Sequence, residues 1–505
     1  MRAHHDAHEA IETYSPAEEQ FNARRRTVGL VLGPLAFVML LAAPLPVPGP
    51  AHRLAGILAM VIVFWVTEAL PLPVSALMGP VLAVLLGVAP VRPAFASFAD
   101  PVIFVFMGGF MLAEAMFVHG VDRRIAYTGL SWRLVGSGPG RMLVVYGGLT
   151  AALSMWMSNT ATTAMMYPIG LSIAAHLART GGTGARQFAL AAMLMTAFAA
   201  SIGGMGTPVG TPPNLIGIGM LERFADVDIT FFQWMAIGVP TFAVMFAFLA
   251  VYFYVTGVRG VTLTEGSTQM VRDELKKLGP VSRGQRNVLI AFGTTVVLWI
   301  TPGLVALMGM GQTPFARAYT QAVPESVAAM IGAFLLFVLP INWRAGRFTL
   351  TWEQALNIEW GIILLYGGGL ALGEMAFTTG LAEAMGKGIT SWIPAPGTVA
   401  LTLTFTGVAI VLSEATSNTA AANMIIPIAI AVALAAGVRP IEPALGATLG
   451  ASMGFMMPVS TPPNAIVYGS GYVPITAMMR YGLALDVVGF VVISALVLLL
   501  GPIVL

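Results

Sequence analysis

Two short polar motifs, each present twice, are the residues in this chain best suited to bind something. Ser158-Asn159-Thr160-Ala161 recurs as Ser417-Asn418-Thr419-Ala420, and Thr211-Pro212-Pro213-Asn214 recurs as Thr461-Pro462-Pro463-Asn464. A proline follows each Ser-Asn-Thr group at the same distance, Pro168 and Pro427. Hydroxyls and carboxamides can donate to an anion or accept around a cation. Both groups lie midway along apolar runs, 141–177 and 398–436, that are longer than one membrane crossing needs. A turn there exposes backbone groups that hydrocarbon cannot satisfy. The half-helix after the turn starts with free N–H groups and the positive end of its dipole, which suit an anion; the half-helix before it ends in free carbonyls, which suit a hard cation. Thr-Pro-Pro-Asn adds a second break, because proline lacks an N–H and disfavours helix at the residue before it. Gly203, Gly204, Gly206 and Gly210 precede the first copy, and Gly454 and Ser460 the second. One such motif reads as a kink between packed helices. Two, each paired with a polar tip, point to a binding site.

The surroundings of these motifs are set by composition. Of 505 residues, 57% are hydrophobic and 10% charged, against about 25% charged in soluble domains. There are too few charges to cover a soluble surface. The net charge of +2 gives no reason to expect nucleic acid, and the absence of cysteine excludes disulfides and thiolate metal sites. Residues 1–27 are polar and mixed in charge, which does not suit a signal peptide, so the first apolar segment is expected to stay as an anchor. His4, His5 and His8 in that tail read as solvated rather than metal-binding.

The expected fold is an all-α polytopic membrane protein with 11 transmembrane helices plus two re-entrant hairpins in two inverted repeats. The tail is 1–27, the first transmembrane helix 28–46, repeat 1 is 47–256 with hairpin 141–177 and broken helix 187–220, the cytoplasmic linker is 257–286, and repeat 2 is 287–505 with hairpin 398–436 and broken helix 443–470. Glu114, Phe117 and Gly120 match Glu374, Phe377 and Gly380 in spacing, so three blocks recur in one order. With Arg24–Arg26 inside, 19 of the 25 Lys and Arg fall on the inner side, leaving Arg53, Arg92, Arg223, Arg317, Lys387 and Arg439 outside. Reading each hairpin as one full span instead would expose the whole 257–286 stretch. Each repeat then has an odd number of spans, so the second is inverted relative to the first, a layout shared by many secondary transporters.

No Lys or Arg lies in the central segments of the hairpins and broken helices. A dianion there faces a solvation cost on the order of tens of kcal/mol before compensation, so bound cations are the expected remainder. Glu414, three residues before Ser417, is either a hydrogen-bonding prop for the hairpin or a proton-coupling group. Glu114 and Glu374 are expected to share a structural role, and Glu68, Asp486, His119 and His176 to lie near the interfaces.

At these motifs the sequence resembles the divalent anion:sodium symporter family, the INDY-type dicarboxylate transporters. The resemblance rests on the paired Ser-Asn-Thr and Thr-Pro-Pro-Asn motifs and on Ser154-Met155-Trp156-Met157 before the first, and it covers nearly the whole chain after residue 27. It implies Na+-coupled symport of C4-dicarboxylates such as succinate, malate or fumarate. It further implies a homodimer whose scaffold holds an elevator-like transport domain, in the cell inner (plasma) membrane, N-terminus cytoplasmic and C-terminus external. Carried over by motif, one Na+ site would use Ser154, Ser158, Asn159 and the carbonyl of Gly210. The other would use Ser413, Thr416, Asn418 and the carbonyl of Ser460. Ser158, Asn159, Thr160, Thr211 and Pro212, with Ser417, Asn418, Thr419, Thr461 and Pro462, would hold the small dianionic substrate. An exchanger without sodium coupling and a Na+:sulfate or citrate symporter are the nearest alternatives. An intramembrane hydrolase would need a base beside Ser158 or Ser417, and no His or Lys lies in the central segments, so no enzyme activity is expected.

Overall fold

The computed structural model describes residues 16–132, 138–179, 184–261, 266–391 and 397–505; the histidines of the tail and Arg133 lie outside them. Apart from one two-residue-deep hairpin of strand at 340–348, the described residues form helices and their connections. The chain opens with α1 (Pro16–Ala42), α2 (Gly49–Thr67), α3 (Leu72–Leu85), the short α4 (Val91–Ala96), α5 (Pro101–His119) and α6 (Val121–Leu130). The first hairpin is α7 (Pro139–Ser154) and α8 (Asn159–Arg179). The first broken helix is α9 (Ala185–Gly204) and α10 (Pro212–Ala225), followed by α11 (Phe231–Thr256). Then come α12 (Gly266–Lys277), α13 (Arg283–Leu307), α14 (Pro314–Ala322), α15 (Glu325–Val338), α16 (Trp352–Ala355), α17 (Trp360–Thr379) and α18 (Leu381–Thr390). The second hairpin is α19 (Thr398–Ala415) and α20 (Asn418–Ala435), the second broken helix α21 (Ile441–Gly450) and α22 (Pro462–Tyr468), and α23 (Ile475–Val504) ends the chain.

Among the described residues ten helices are long and apolar enough to cross a bilayer, or eleven if the α14–α15 pair, bent by 61°, is one span. That agrees with the expected number, but the membership differs. Both arms of the second hairpin qualify by length, whereas α3 and the two short pieces α21 and α22 do not. The outer helices carry apolar side chains on their exposed faces, Leu35, Val251, Val491 and Ile503 among them, as a lipid-facing surface requires. Polar groups such as Asn214, Asn464, Ser154 and Ser413 are buried instead.

Two boundaries move. The first helix starts at Pro16 and ends at Ala42 rather than spanning 28–46, so residues 16–27 of the expected tail are already helical. Arg25 in that stretch pairs with Glu68 at the end of α2, 2.7 Å away, and Pro44, Pro46 and Pro48 close the far end. The linker 257–286 is partly helical through α12, and α13 begins inside it at Arg283, where Ser282 and Gln285 form a reciprocal cap. Asp486 is buried within α23.

Equivalent helices of the two repeats cross over to one another. Helix α10 of the first packs against α20 and α21 of the second, and α22 of the second packs against α8 and α9 of the first. Each Pro-Pro break is thereby held against the hairpin of the other repeat.

Candidate functional site

Each hairpin breaks at its Ser-Asn-Thr group. In the first, α7 stops at Ser154 and α8 resumes at Asn159; in the second, α19 stops at Ala415 and α20 resumes at Asn418. Ser158 Oγ accepts the Ala161 N–H at 3.3 Å, and Ser417 Oγ accepts the Ala420 N–H at 3.3 Å. The serines are therefore N-caps, which explains why the second half-helices start where they do. Ser154 Oγ donates to Asn159 Oδ1 at 2.7 Å, and Ser413 Oγ to Asn418 Oδ1 at 2.7 Å. The same bond, over the same five-residue gap, closes both turns.

The breaks beside them repeat as faithfully. Asn214 Nδ2 donates to the carbonyls of Gly204 (2.9 Å) and Thr207 (2.7 Å). Asn464 Nδ2 donates to those of Gly454 and Met457, both at 3.0 Å. One carboxamide thus spans each unwound stretch and satisfies carbonyls that the lost helix turns leave free. The Oδ1 atoms of Asn214 and Asn464 are both buried with no hydrogen-bond partner. Neither asparagine was among the expected site residues, although both stand at the last position of the repeated motif. Their role depends on which carbonyls the break frees, and that is a matter of three-dimensional path.

Glycine makes room where the two features meet. A Cβ on Gly204 would lie 2.5 Å from Asn159 Oδ1 and 3.1 Å from the Gly210 carbonyl. A Cβ on Gly454 would lie 3.1 Å from Asn418 Oδ1, 3.1 Å from Ser413 Oγ and 3.0 Å from the Ser413 carbonyl. The expected ligands Ser154, Asn159 and Gly210 thus come together around one glycine, and Ser413 and Asn418 around the other. These are neutral oxygens, the donor set of a hard monovalent cation rather than of a transition metal. The described residues contain no cluster of His, Cys, Asp or Glu suited to a metal.

Two expected ligands behave differently. The Thr416 hydroxyl donates to the carbonyl of Trp65 at 2.9 Å, which turns it away from Asn418. The Ser460 hydroxyl donates to Glu414, to its carbonyl at 3.0 Å and to Oε2 at 2.7 Å, which leaves its own carbonyl as the group it can offer.

Glu414 props the unwound stretch. Its Oε1 accepts the N–H groups of Phe455 (2.6 Å) and Met456 (2.7 Å), and its Oε2 that of Met457 (3.2 Å). It takes up the donors of the unwound stretch, as Asn464 takes up the acceptors. The matching position in the first hairpin is Met155, whose carbonyl accepts the Thr207 hydroxyl instead. The charged prop belongs to the second repeat alone.

A helix begins at each tip, α8 and α20, and after each break, α10 following Thr211 and α22 following Thr461, and each presents its positive end there. Ser158, Asn159, Thr160, Ser417, Asn418 and Thr419 are partly accessible, while Thr211 and Thr461 are buried. Pro212 is half-buried and Pro462 exposed. Farther out, Glu374 pairs with Arg223 at 2.6 Å and accepts the Ser97 hydroxyl. His119 Nε2 meets the Thr349 carbonyl at 2.6 Å, as expected of a group at a helix end.

Known proteins resemble this chain over most of its length. The family model for the sodium:sulfate symporter transmembrane region matches residues 25–505. A sodium-dependent dicarboxylate transporter, SdcS, of Staphylococcus saprophyticus is 34% identical over 484 residues, covering 94% of this chain and 91% of that protein. SdcS of Staphylococcus aureus strain USA300 is 32% identical over 487 residues, covering 95% and 92%. The crystal structure of the Alcanivorax borkumensis YdaH transporter is similar in fold alone, with a TM-score of 0.53 at 12% identity, covering 89% of this chain and 98% of that one. The repeated hairpin turns, the repeated breaks and the match over almost the whole length show that this chain belongs to the divalent anion:sodium symporter family, a family of membrane transporters rather than enzymes.

Proposed function

We propose that this protein carries C4-dicarboxylates such as succinate, malate or fumarate across the cell membrane together with Na+. The observation that carries the proposal is the duplicated cluster of neutral oxygens, Ser154–Asn159–Gly210 and Ser413–Asn418, each beside a helix N-terminus. The oxygens suit Na+ and the N–H groups suit a carboxylate, so cation and anion bind side by side and each lowers the cost of burying the other. No Lys or Arg is placed in the tips or breaks to neutralise a dianion. Two Na+ would do so, and more would make transport electrogenic.

In this reading Ser158, Asn159, Thr160, Thr211 and Pro212, with their counterparts Ser417, Asn418, Thr419, Thr461 and Pro462, line the substrate site. The two repeats are inverted, the hairpins are re-entrant, and the hairpins with the broken helices α9–α10 and α21–α22 slide against a scaffold of the remaining helices, in a homodimer whose N-terminus is cytoplasmic and C-terminus external. The names of the relatives favour a dicarboxylate over sulfate. The test is uptake of labelled succinate into proteoliposomes. An inward Na+ gradient should drive accumulation above equilibrium. Equal uptake with choline in place of Na+, stimulated only by internal dicarboxylate, would make the protein an exchanger.

A further inference from the structure

A cavity of about 790 Å³ lies between α2, α17, α18, α20 and the loop after α1. That falls within the roughly 300–1,000 Å³ of sites that enclose small organic ligands. Its walls are Leu58 and Ile62 of α2, Leu372 and Ala376 of α17, and Met424 and Ala431 of α20. It adjoins the second hairpin, since Asn423 Nδ2 donates to the Thr419 carbonyl and the Trp65 carbonyl accepts the Thr416 hydroxyl, but neither the Ser-Asn-Thr groups nor Thr461 lines it.

The internal repeat shows what such a cleft requires. Counting back 259 residues, Ala431 corresponds to Ser172 of α8; counting back 260, Ala384 of α18 corresponds to Arg124 of α6. At those positions the other cleft is filled by the chain itself. Helix α12 packs against α6 and α8, with Ser172 Oγ 3.6 Å from Met270 Sδ and Val271 fully buried. Arg124 holds the end of that segment through the carbonyls of Leu278, Gly279 and Pro280, at 3.1, 2.9 and 3.3 Å. The cleft lined by Ala431 and Ala384 is bordered by α2, Leu40 of α1 and the short loop 43–48, which do not fill it, and it stays open.

Water suits little of this space: a buried water needs two to four polar partners, the lining offers the unpartnered Asn423 Oδ1 and Trp65 Nε1, and the charged side chains, Lys387 and Glu383, lie exposed at the rim, paired with each other at 2.5 Å. An empty cavity would forfeit dispersion contacts along its whole lining. Hydrocarbon restores them, and in a bilayer it is already at hand with no transfer from water.

We infer that an acyl chain of a phospholipid, from the leaflet opposite the N-terminal tail, occupies this cavity, with its phosphate level with Lys387. The lipid takes the place that α12 fills in the other half of the fold. On the elevator reading above, the cavity-facing side of α20 would then slide against hydrocarbon, beside its contacts with α2 and α17; the choice of leaflet rests on the orientation proposed above.

Trp65 provides the probe, because it lines the cavity and is only 2% exposed. The protein is placed in nanodiscs of phosphatidylcholine brominated in mid-chain, or of the unbrominated lipid. The emission of Trp65 is taken as the difference between wild type and Trp65→Phe. Loss of that emission in brominated lipid, reversed by the cavity-filling change Ala431→Phe while quenching of the other tryptophans persists, is the expected result. Unchanged Trp65 emission, or equal loss in the filled variant, overturns the proposal. Ala376→Phe, on α17, makes the same test should Ala431→Phe fail to fold. Mass spectrometry of the detergent-purified protein should find a retained phospholipid; a fatty acid or sterol in its place overturns the assignment.

Discussion

Replacing Asn214 by alanine removes the carboxamide that spans the first Pro-Pro break. Two buried carbonyls, of Gly204 and Thr207, lose donors at 2.9 and 2.7 Å. Each buried acceptor left unpaired costs about 1–3 kcal/mol, and deleting the unpartnered Asn214 Oδ1 gives back part of one such term. The net loss is about 2–4 kcal/mol. Asn464→Ala should lose a similar amount, because it makes the same two bonds at the same spacing. Gly204 and Gly454 lie against Asn159 and Asn418, so loosening either break should also loosen its oxygen cluster. The assay is thermal unfolding of purified protein across a Na+ titration, with choline holding ionic strength. Both variants should unfold at lower temperature and should need about tenfold more Na+ for half-maximal stabilisation, equivalent to about 1.4 kcal/mol. A variant that is less stable yet responds to Na+ as wild type does would separate the break from the cation site and refute this reasoning.

Asn159→Ala and Asn418→Ala should each weaken Na+ dependence and dicarboxylate affinity together, because linkage between bound ion and bound anion is reciprocal at equilibrium; isothermal titration with each ligand in turn would show a change in one alone if the residue served only one. Glu414→Gln keeps one acceptor oxygen but sets an amide NH2 against the Met457 N–H and loses charge-assisted bonds to the unwound stretch, at a cost of about 2–4 kcal/mol, readable as a lower unfolding midpoint; the matching change at Met155, to glutamine, should show no comparable loss from broken side-chain bonds. Asp122 lies outside the spans on α6, and burial pushes its carboxyl up to about 6 against the N–H of Arg123 that holds it down. A folded value above the unfolded 3.8 means its contribution is full below about pH 4 and is lost as pH rises through about 6. Asp122→Asn should therefore be more stable than wild type by about 3 kcal/mol at pH 8 and equal to it near pH 4, in paired melts at the two pH values.

What the sequence made legible was whatever depends on local pattern. Apolar run length gave the helices, and the doubled Ser-Asn-Thr groups gave the hairpin turns to within a residue or two, because an N-cap serine and a following apolar stretch are local signals. Pro212 and Pro462 marked the second half-helices for the same reason. Long-range partners were not legible. Asn214 and Asn464 act on carbonyls seven and ten residues back, across an unwound path. The Thr416 hydroxyl is claimed by Trp65, 351 residues away in sequence. The bonds of Glu414 to the N–H groups of Phe455–Met457 lie 41 to 43 residues along the chain. The start of α1 was misplaced because hydropathy sees only the apolar part of a helix, whereas Arg25 and Glu68 extend it into polar sequence.

The central claim is that cation and dianion share one site. Binding of succinate to the purified protein, measured across a Na+ titration at constant ionic strength, tests it most directly. Affinity should rise steeply with Na+, with more than one ion taken up per succinate, and should be lost when choline replaces Na+. Succinate binding that is equally tight without Na+ would contradict the account.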